Sequence, residues 1–483
     1  MPVTLLERGP WRDTVPVRSM GIDKRTPLPR GSKLFTRLFR TLNRRGLPGG
    51  RANLNNKGLF ELFLDKRVNT VCSSGVGGGS HVYSASHVRP LVDNYWDGHD
   101  DAISTQNMEQ HYQAIFSRME SALPTAEHRI PNTMRERFAD SEHLEAATPP
   151  PDARIGYLLA EDPDNPKKVV NKDGVERMEF DLTKGEGGFL GSPDGGKTTL
   201  DFIYLAPALK AGLKVRDLCE VKSITRQSDG APRYRVDFID HHTGAATALE
   251  ADNVIMAAGT MNTLRILFHS RDGVGGLAGM PNLGKRFGTN GDLFAFWDYN
   301  EPGKDLSQGL PTTGMLKLRE DGVDAPMIGG GPVPSINSFP LPGFVKNRMK
   351  RGQFIAGLGE DAMDGAVTYK NGKLKIDYEP DNSPIFGRIR SVFDRITAKT
   401  GRKVYTTKKP WTVHPTGGCC FAGSIADGVV NADGEVFDNE GLYVADAAAL
   451  PRPPGGPPSM TIAAWSDHLA TRFIERRNEI FGQ

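Results

Sequence analysis

The chain has no run of about 18 apolar residues, so it offers no candidate for a membrane-spanning helix. Its opening residues also lack the basic-then-apolar pattern of a secretory leader. Cysteine is scarce: Cys72, Cys219, Cys419 and Cys420 are the four in 483 residues, and their spacing makes neither a zinc site nor a disulfide framework. A reducing, cytoplasmic setting is expected, with peripheral membrane contact as the alternative. An excess of charge is missing too, since Lys plus Arg number 60 against 58 for Asp plus Glu. No global field favours nucleic acid, and small molecules are the expected partners. The remaining composition, 38% hydrophobic and 24% charged, is that of a globular protein long enough for two or three domains or one elaborate α/β enzyme.

The most informative stretch lies between Trp411 and Thr461. His414 stands on a Pro/Gly-rich turn, and a short apolar strand closed by a carboxylate follows, Leu442 to Asp446. A Pro/Gly loop then opens into a helix at Ser459 and Met460, with Ile462, Trp465, Leu469 and Phe473 along one apolar face. Strand, acid, tight loop and helix start in this order suit an anionic or electron-rich cofactor, because free N–H groups and the helix dipole point the same way. His414 would be the chemical group beside it.

A second stretch, Ser74-Gly-Val-Gly-Gly-Gly-Ser80, lets backbone run against a flat ring or a phosphate where a Cβ would collide. Near the start, Val3 to Leu6 reads as a buried strand closed by Glu7. An acid at that place binds the adenosine ribose in dinucleotide folds, about 20 residues after a G-x-G-x-x-G turn. That turn is not in the sequence, and the expectation is that about 30 residues carrying strand, glycine loop and helix precede Met1. Leu34, Phe35, Leu38, Phe39 and Leu42, interleaved with Lys33, Arg37, Arg40 and Arg44, recur at helical spacing and predict an amphipathic helix over 33–44 that packs as a lid or lies on a lipid surface. Leu200 to Leu209 predicts a helix, and 214–225, 234–240 and 245–256 predict three strands. An Asn-Gly turn at 371 and 372 predicts a hairpin.

His414-Pro-Thr-Gly-Gly-Cys419, Gly434-Glu-Val-Phe437, Gly441-Leu-Tyr-Val-Ala-Asp446 and Pro458-Ser-Met-Thr-Ile-Ala-Ala464 together resemble the C-terminal signature of the glucose-methanol-choline (GMC) flavoprotein oxidoreductases, most of all their bacterial cholesterol oxidase branch. The glycine run and Leu283-Gly-Lys-Arg-Phe-Gly-Thr-Asn-Gly-Asp292 fit the same family. The resemblance implies an α/β protein: an FAD-binding Rossmann-like domain formed by 1–90, 191–292 and 401–483, a covering region at 91–190, and an interleaved α+β substrate domain at 293–400 built on an antiparallel sheet.

The resemblance also implies FAD as cofactor, with Glu7, Gly77, Gly78, Gly79, Ser80, Tyr83, Ser84, Val221, Asp446, Ala447, Ser459 and Met460 around it. Tyr83 stands where the cholesterol oxidases usually carry Asn. The implied activity is oxidation of a secondary alcohol on an apolar substrate, a sterol or related lipid, with His414 as base and dioxygen or another acceptor taking the electrons. Asp364, in Gly359-Glu-Asp-Ala-Met-Asp-Gly365, is nearest to the glutamate that moves a steroid double bond, with Glu360 and Asp361 beside it. One position departs from the family pattern. Pro457 replaces the Asn or His that normally gives the alcohol oxygen a second anchor, and proline has no side-chain donor. A non-catalytic flavoprotein remnant, or a dehydrogenase of a polyol, terpenoid or aromatic alcohol, are the competing expectations.

Overall fold

Short β-rich runs punctuated by glycine and proline build the chain into several small sheets joined by loops and a few helices. The computed structural model describes residues 2–125, 128, 154–184, 187–228, 232–300, 302–303, 305–310, 314–317, 326–333 and 335–481. Two parallel pairs anchor the halves of the chain: Thr4–Leu6 beside Lys214–Arg216, and Val254–Met256 beside Leu442–Val444. A three-stranded antiparallel meander, Cys219–Arg226, Tyr234–Asp240 and Ala245–Ala251, connects them. The mixed α/β class with interleaved antiparallel sheets is the expected one.

Two predicted strands prove to be two strands each. The run 214–225 breaks at Leu218, whose φ of 55° turns the chain from the parallel pair into the meander. The run 245–256 breaks after Ala251 in the opposite sense, leaving the meander for the second parallel pair. Periodicity could not show this, because both halves of each run are apolar enough for a strand.

The predicted amphipathic helix over 33–44 is corrected. A five-residue helix, Leu34–Leu38, gives way at once to the strand Phe39–Asn43, which lies between Arg51–Asn53 and Phe60–Leu64. Arg40 and Thr41 point inward and are fully buried, so the basic stripe does not form one continuous face for lipid. Tertiary pairing has overridden a helical pattern only three turns long. No described helix is long and apolar enough to cross a membrane.

The sheet containing Phe39–Asn43 continues through Asn69–Ser73 to Trp411–Thr412. The strand that enters the glycine run thus lies directly beside the strand that precedes His414, in parallel register Asn69 to Trp411. A five-stranded antiparallel sheet, ordered Gly314–Lys317, Met327–Pro332, Gln353–Leu358, Leu293–Trp297 and Val404–Thr406, forms the second half of the molecule. Helix Pro384–Thr400 covers it, and a Cβ at Gly357 would lie 2.3 Å from Ile389, so glycine permits that approach. The predicted hairpin at Asn371-Gly372 is present, both residues having positive φ as a two-residue turn demands. It belongs, however, to a separate sheet with Lys285–Gly288 and Thr416–Gly417.

Part of the expected covering region, 129–153, lies outside the described residues. Its helix Thr105–Arg118 packs on the last helix, Ser459–Phe481, through His111 on Asp467 at 2.8 Å, and Trp96, ahead of that helix, stacks on Trp465.

A buried ion cluster ties the N-terminal segments to the meander and to the segment carrying Arg265. Glu61 receives Arg8 at 2.5 Å and Arg265 at 3.3 Å, with the amides of Asn43 and Asn262 at 2.9 and 3.0 Å. Glu220, on the meander, takes Arg51 at 2.8 Å and Lys222 at 3.0 Å. Burial opposes the charged form of Glu61, but Arg8, Arg265 and Arg51 together outweigh it and hold the carboxyl well below the ordinary range. A depressed carboxyl stabilises the fold above the unfolded pKa, about 4.3 for Glu, and that stabilisation fades as pH falls below it. Glu61→Gln should therefore cost about 3–5 kcal/mol at pH 7 by leaving buried arginines unpaired. In urea titrations the variant and wild-type midpoints should converge as the pH is lowered toward about 3.

Candidate active site

The glycine run is shaped by two close approaches. Gly9 passes so near it that an added Cβ would sit 2.4 Å from the amide nitrogen of Gly75. Glu7 bridges the same gap: its Oε1 accepts from Gly9 N at 2.7 Å and from Gly75 N at 3.0 Å, leaving Oε2 without a partner among the described residues. Burial raises the carboxyl's pKa, and those N–H bonds with the nearby Arg8 offset part of that. Gly77 has φ 97° and faces Asp201, where a Cβ would fall 2.9 Å from the aspartate's own. Gly78, with φ 57°, has no protein atom within 4 Å on its Cβ side, and Gly79 has only Ser73 Oγ at 4.0 Å. One side of the ribbon is packed and the other is open.

Several polar atoms around the ribbon are buried without partners: Arg12 Nε, Ser74 Oγ and His81 Nδ1. Orphans of this kind are rare in folded proteins unless a ligand or water meets them. The open glycine side, the free Glu7 oxygen and these unsatisfied atoms fit a flat cofactor carrying phosphates.

Other predicted contacts are placed as follows. Ser80 uses its hydroxyl internally, donating to Gly77 O at 2.6 Å and accepting from Leu200 N at 2.9 Å. Tyr83 donates to Thr198 O at 2.7 Å and meets His87 Nε2 at 3.1 Å, so its hydroxyl is held by protein. Ser84 offers its carbonyl to Tyr157. Val221 sits where the meander register shifts before Ser223. Both oxygens of Asp446 are engaged: Oδ1 by Ala448 N at 2.9 Å, and Oδ2 by Gly259 N at 2.9 Å and Thr263 Oγ1 at 2.5 Å. Burial pushes the Asp446 carboxyl up, and these donors pull it part of the way back. Its structural task is to fasten the Leu442–Val444 strand and Ala447 to the start of helix Thr260–Phe268. Ser459 donates to Ser86 O at 3.3 Å, and Met460 is buried beside it.

His414 follows the Trp411–Thr412 strand, and its carbonyl and that of Pro415 are held by Thr416 and by Thr260 at 3.0 and 2.6 Å. Thr260 is the first residue of the helix that Asp446 caps, so imidazole, aspartate and ribbon come from elements that touch. Sequence reading gave no role to the residue that orients the imidazole. Asp292, fully buried, takes His414 Nδ1 on Oδ1 at 2.8 Å. Its Oδ2 accepts from Val413 N at 2.9 Å and Thr412 Oγ1 at 2.8 Å. A carboxylate on Nδ1 makes that nitrogen the proton carrier and leaves Nε2 with its lone pair. An acid closing a Gly-Thr-Asn-Gly turn just before the apolar run from Leu293 to Trp297 was the signal available in the sequence.

Two neighbours in that turn matter as well. Asn290 clamps the loop ahead of Pro457, accepting from Gly455 N at 3.1 Å and donating to Gly456 O at 2.9 Å. Of the three acids at 360–364, Asp361 is the buried one, accepting from Thr289 N at 2.6 Å and Tyr378 OH at 2.9 Å, and so supports the turn carrying Asn290 and Asp292. Glu360 pairs with Arg452. Asp364 is exposed and bonded to Asn382 at 2.8 Å; no described contact joins it to His414.

Comparison with known proteins agrees with this layout. GMC oxidoreductase family models match residues 49–289 and 387–466. The chain is 25% identical over 500 residues to a cholesterol oxidase of Acinetobacter baumannii, covering 88% of this chain and 84% of that protein. It is 26% identical over 340 residues to a cholesterol oxidase of Mycobacterium tuberculosis H37Rv, covering 58% and 57%. In fold it is similar to pyridoxine 4-oxidase from Mesorbium loti, with TM-score 0.60 at 16% identity over 98% of this chain and 94% of that one. Formate oxidase of Aspergillus oryzae gives 0.61 at 13% identity, over 99% and 94%. The chain belongs to the GMC oxidoreductase family, and its cofactor is FAD.

Proposed function

We propose that this protein oxidises a secondary alcohol on an apolar molecule, a sterol or related lipid, with His414 as the base. The Asp292–His414 pair carries the reading. Removing a hydride from a carbinol carbon is easy only if the hydroxyl proton leaves with it, and an imidazole with a free Nε2 can accept that proton. Bound FAD supplies the hydride acceptor. Glu7 and the ribbon at Gly77, Gly78 and Gly79 would hold it, with Val221, Asp446, Ala447, Ser459 and Met460 around its two ends.

Asp292 fixes the ring and its tautomer and stabilises the imidazolium that forms. The bonds from Thr412 and Val413 keep the carboxylate itself from turning. Pro457 supplies no second donor to the alcohol oxygen, and the nearby Asn290 amide is committed to the loop backbone. The alcohol oxygen would therefore be oriented chiefly by His414, which favours a substrate held by its hydrocarbon body over a small polyol. Similarity to the cholesterol oxidases points the same way. Asp364 would need to leave Asn382 to serve double-bond migration, so oxidation without isomerisation is the simpler outcome.

Anaerobic bleaching of the flavin by cholesterol, set beside polyol, terpenoid and aryl alcohols, tests the substrate class. Bleaching by cholesterol is expected, preference for a small polyol would overturn the sterol assignment, and no bleaching by any alcohol would leave a non-catalytic flavoprotein. His414→Ala should slow flavin reduction by about 10²- to 10⁴-fold while FAD remains bound. Asp292→Asn should slow it by about 10²-fold or more, because an amide facing Nδ1 can stabilise the wrong tautomer. Unchanged reduction in either variant, read by stopped-flow absorbance, would remove the assigned dyad.

A further inference from the structure

Beneath the packed side of the glycine ribbon runs the segment Lys197 to Asp201, and its first residue has an unusual environment. Lys197 is fully buried, and its Nζ donates to three main-chain carbonyls: His81 at 2.8 Å, Tyr83 at 2.9 Å and Gly188 at 3.0 Å. It also lies 5.4 Å from the centroid of the Tyr83 ring. No described carboxylate lies within ion-pair distance of it. Asp201, the acid of the same segment, turns instead to Thr199 and stands 3.6 Å from His81.

Burial works against a charge here and lowers the proton affinity of the amine. The cage argues the other way. An ammonium brings three N–H donors to three carbonyl oxygens, whereas a neutral amine has two and must aim its lone pair at the third oxygen. Distances of 2.8 to 3.0 Å to all three acceptors leave no room for that repulsion. As an ammonium, Lys197 would satisfy all three carbonyls and carry a charge that no described carboxylate answers.

Its position gives the charge a use. Of the carbonyls it binds, that of His81 closes the turn Gly78–His81 and that of Tyr83 follows it, while the amides of Gly77 and Gly79, which have no described backbone partner, lie earlier in the ribbon. A cation on the carbonyl side fixes those peptides and adds positive potential to a backbone run that already attracts anions. We propose that Lys197 is a positioning residue for the cofactor: its ammonium pins the ribbon from below, and its unanswered charge is complemented by the phosphates of FAD. This rests on the assignment of the ribbon to FAD in the preceding subsection and adds to it the source of the electrostatic attraction.

The test is titration of FAD and of riboflavin, which lacks phosphates, into deflavinated full-length protein, wild type and Lys197→Met. FAD affinity should fall about tenfold or more in the variant, with a weaker dependence on salt and a much smaller change for riboflavin. Equal losses for both ligands would reduce Lys197 to a packing role and overturn the proposal, as would equal FAD affinity in the two proteins. Wild-type protein that binds no FAD would instead sink the ribbon assignment itself. Should Lys197→Met fail to fold, selectively labelled wild type decides: a Lys197 Nζ resonance with the nitrogen shift of an ammonium at pH 7 supports the proposal, and an amine shift overturns it.

Discussion

A single buried carboxylate, that of Asp292, holds the His-Pro turn in place. Asp292 reaches from the crossover between the two halves to the His-Pro turn, fixing Thr412 by its hydroxyl, Val413 by its amide and His414 by its ring. The arrangement works because Asp292 is fully buried. A carboxylate shielded from water binds N–H donors strongly and cannot be left unpaired. The same device recurs elsewhere. Glu7 joins two backbones at Gly9 and Gly75, Asp446 joins a strand end to a helix start, Asp361 supports the turn that carries Asp292, and Glu61 gathers arginines from three segments. In a fold assembled from small sheets with few long helices, such clamps do what a continuous sheet would otherwise do.

Much of this was visible in the amino acids. The glycine ribbon, the His-Pro turn, the acid at Asp446 and the last helix are local patterns, each dictated by steric demands that few residues meet. The Asn371-Gly372 hairpin was legible for the same reason. What escaped notice is long-range. Asp292 is an ordinary acid at a strand entrance until His414 arrives beside it from 122 residues away. Lys197 looks like any surface lysine after a Gly-Gly pair, and only the cage of carbonyls shows otherwise. The stretch around Arg40 misled for a related reason: three turns of helical spacing fit a short helix followed by a strand equally well, and pairing with neighbouring strands made the choice.

Membership of the GMC family accounts for the glycine ribbon, the acid at Asp446 and the His-Pro turn standing in one chain, and two positions around them are particular to this sequence. Pro457 removes a donor, and Asn290 is drawn into supporting the loop ahead of it. Tyr83 fills the space under the ribbon and anchors its hydroxyl on Thr198.

The distance along the chain between Asp292 and His414 also has a consequence for biogenesis. A ribosome adding about 5–20 residues per second releases the aspartate roughly 6 to 24 s before the histidine it serves, a gap set by their separation of 122 residues. During that interval the carboxylate lacks the ring, hydroxyl and amide of the later turn that are its partners in the folded chain. The Asp292–His414 pair is thus completed late in the life of the nascent polypeptide, after nearly all of the chain has been made.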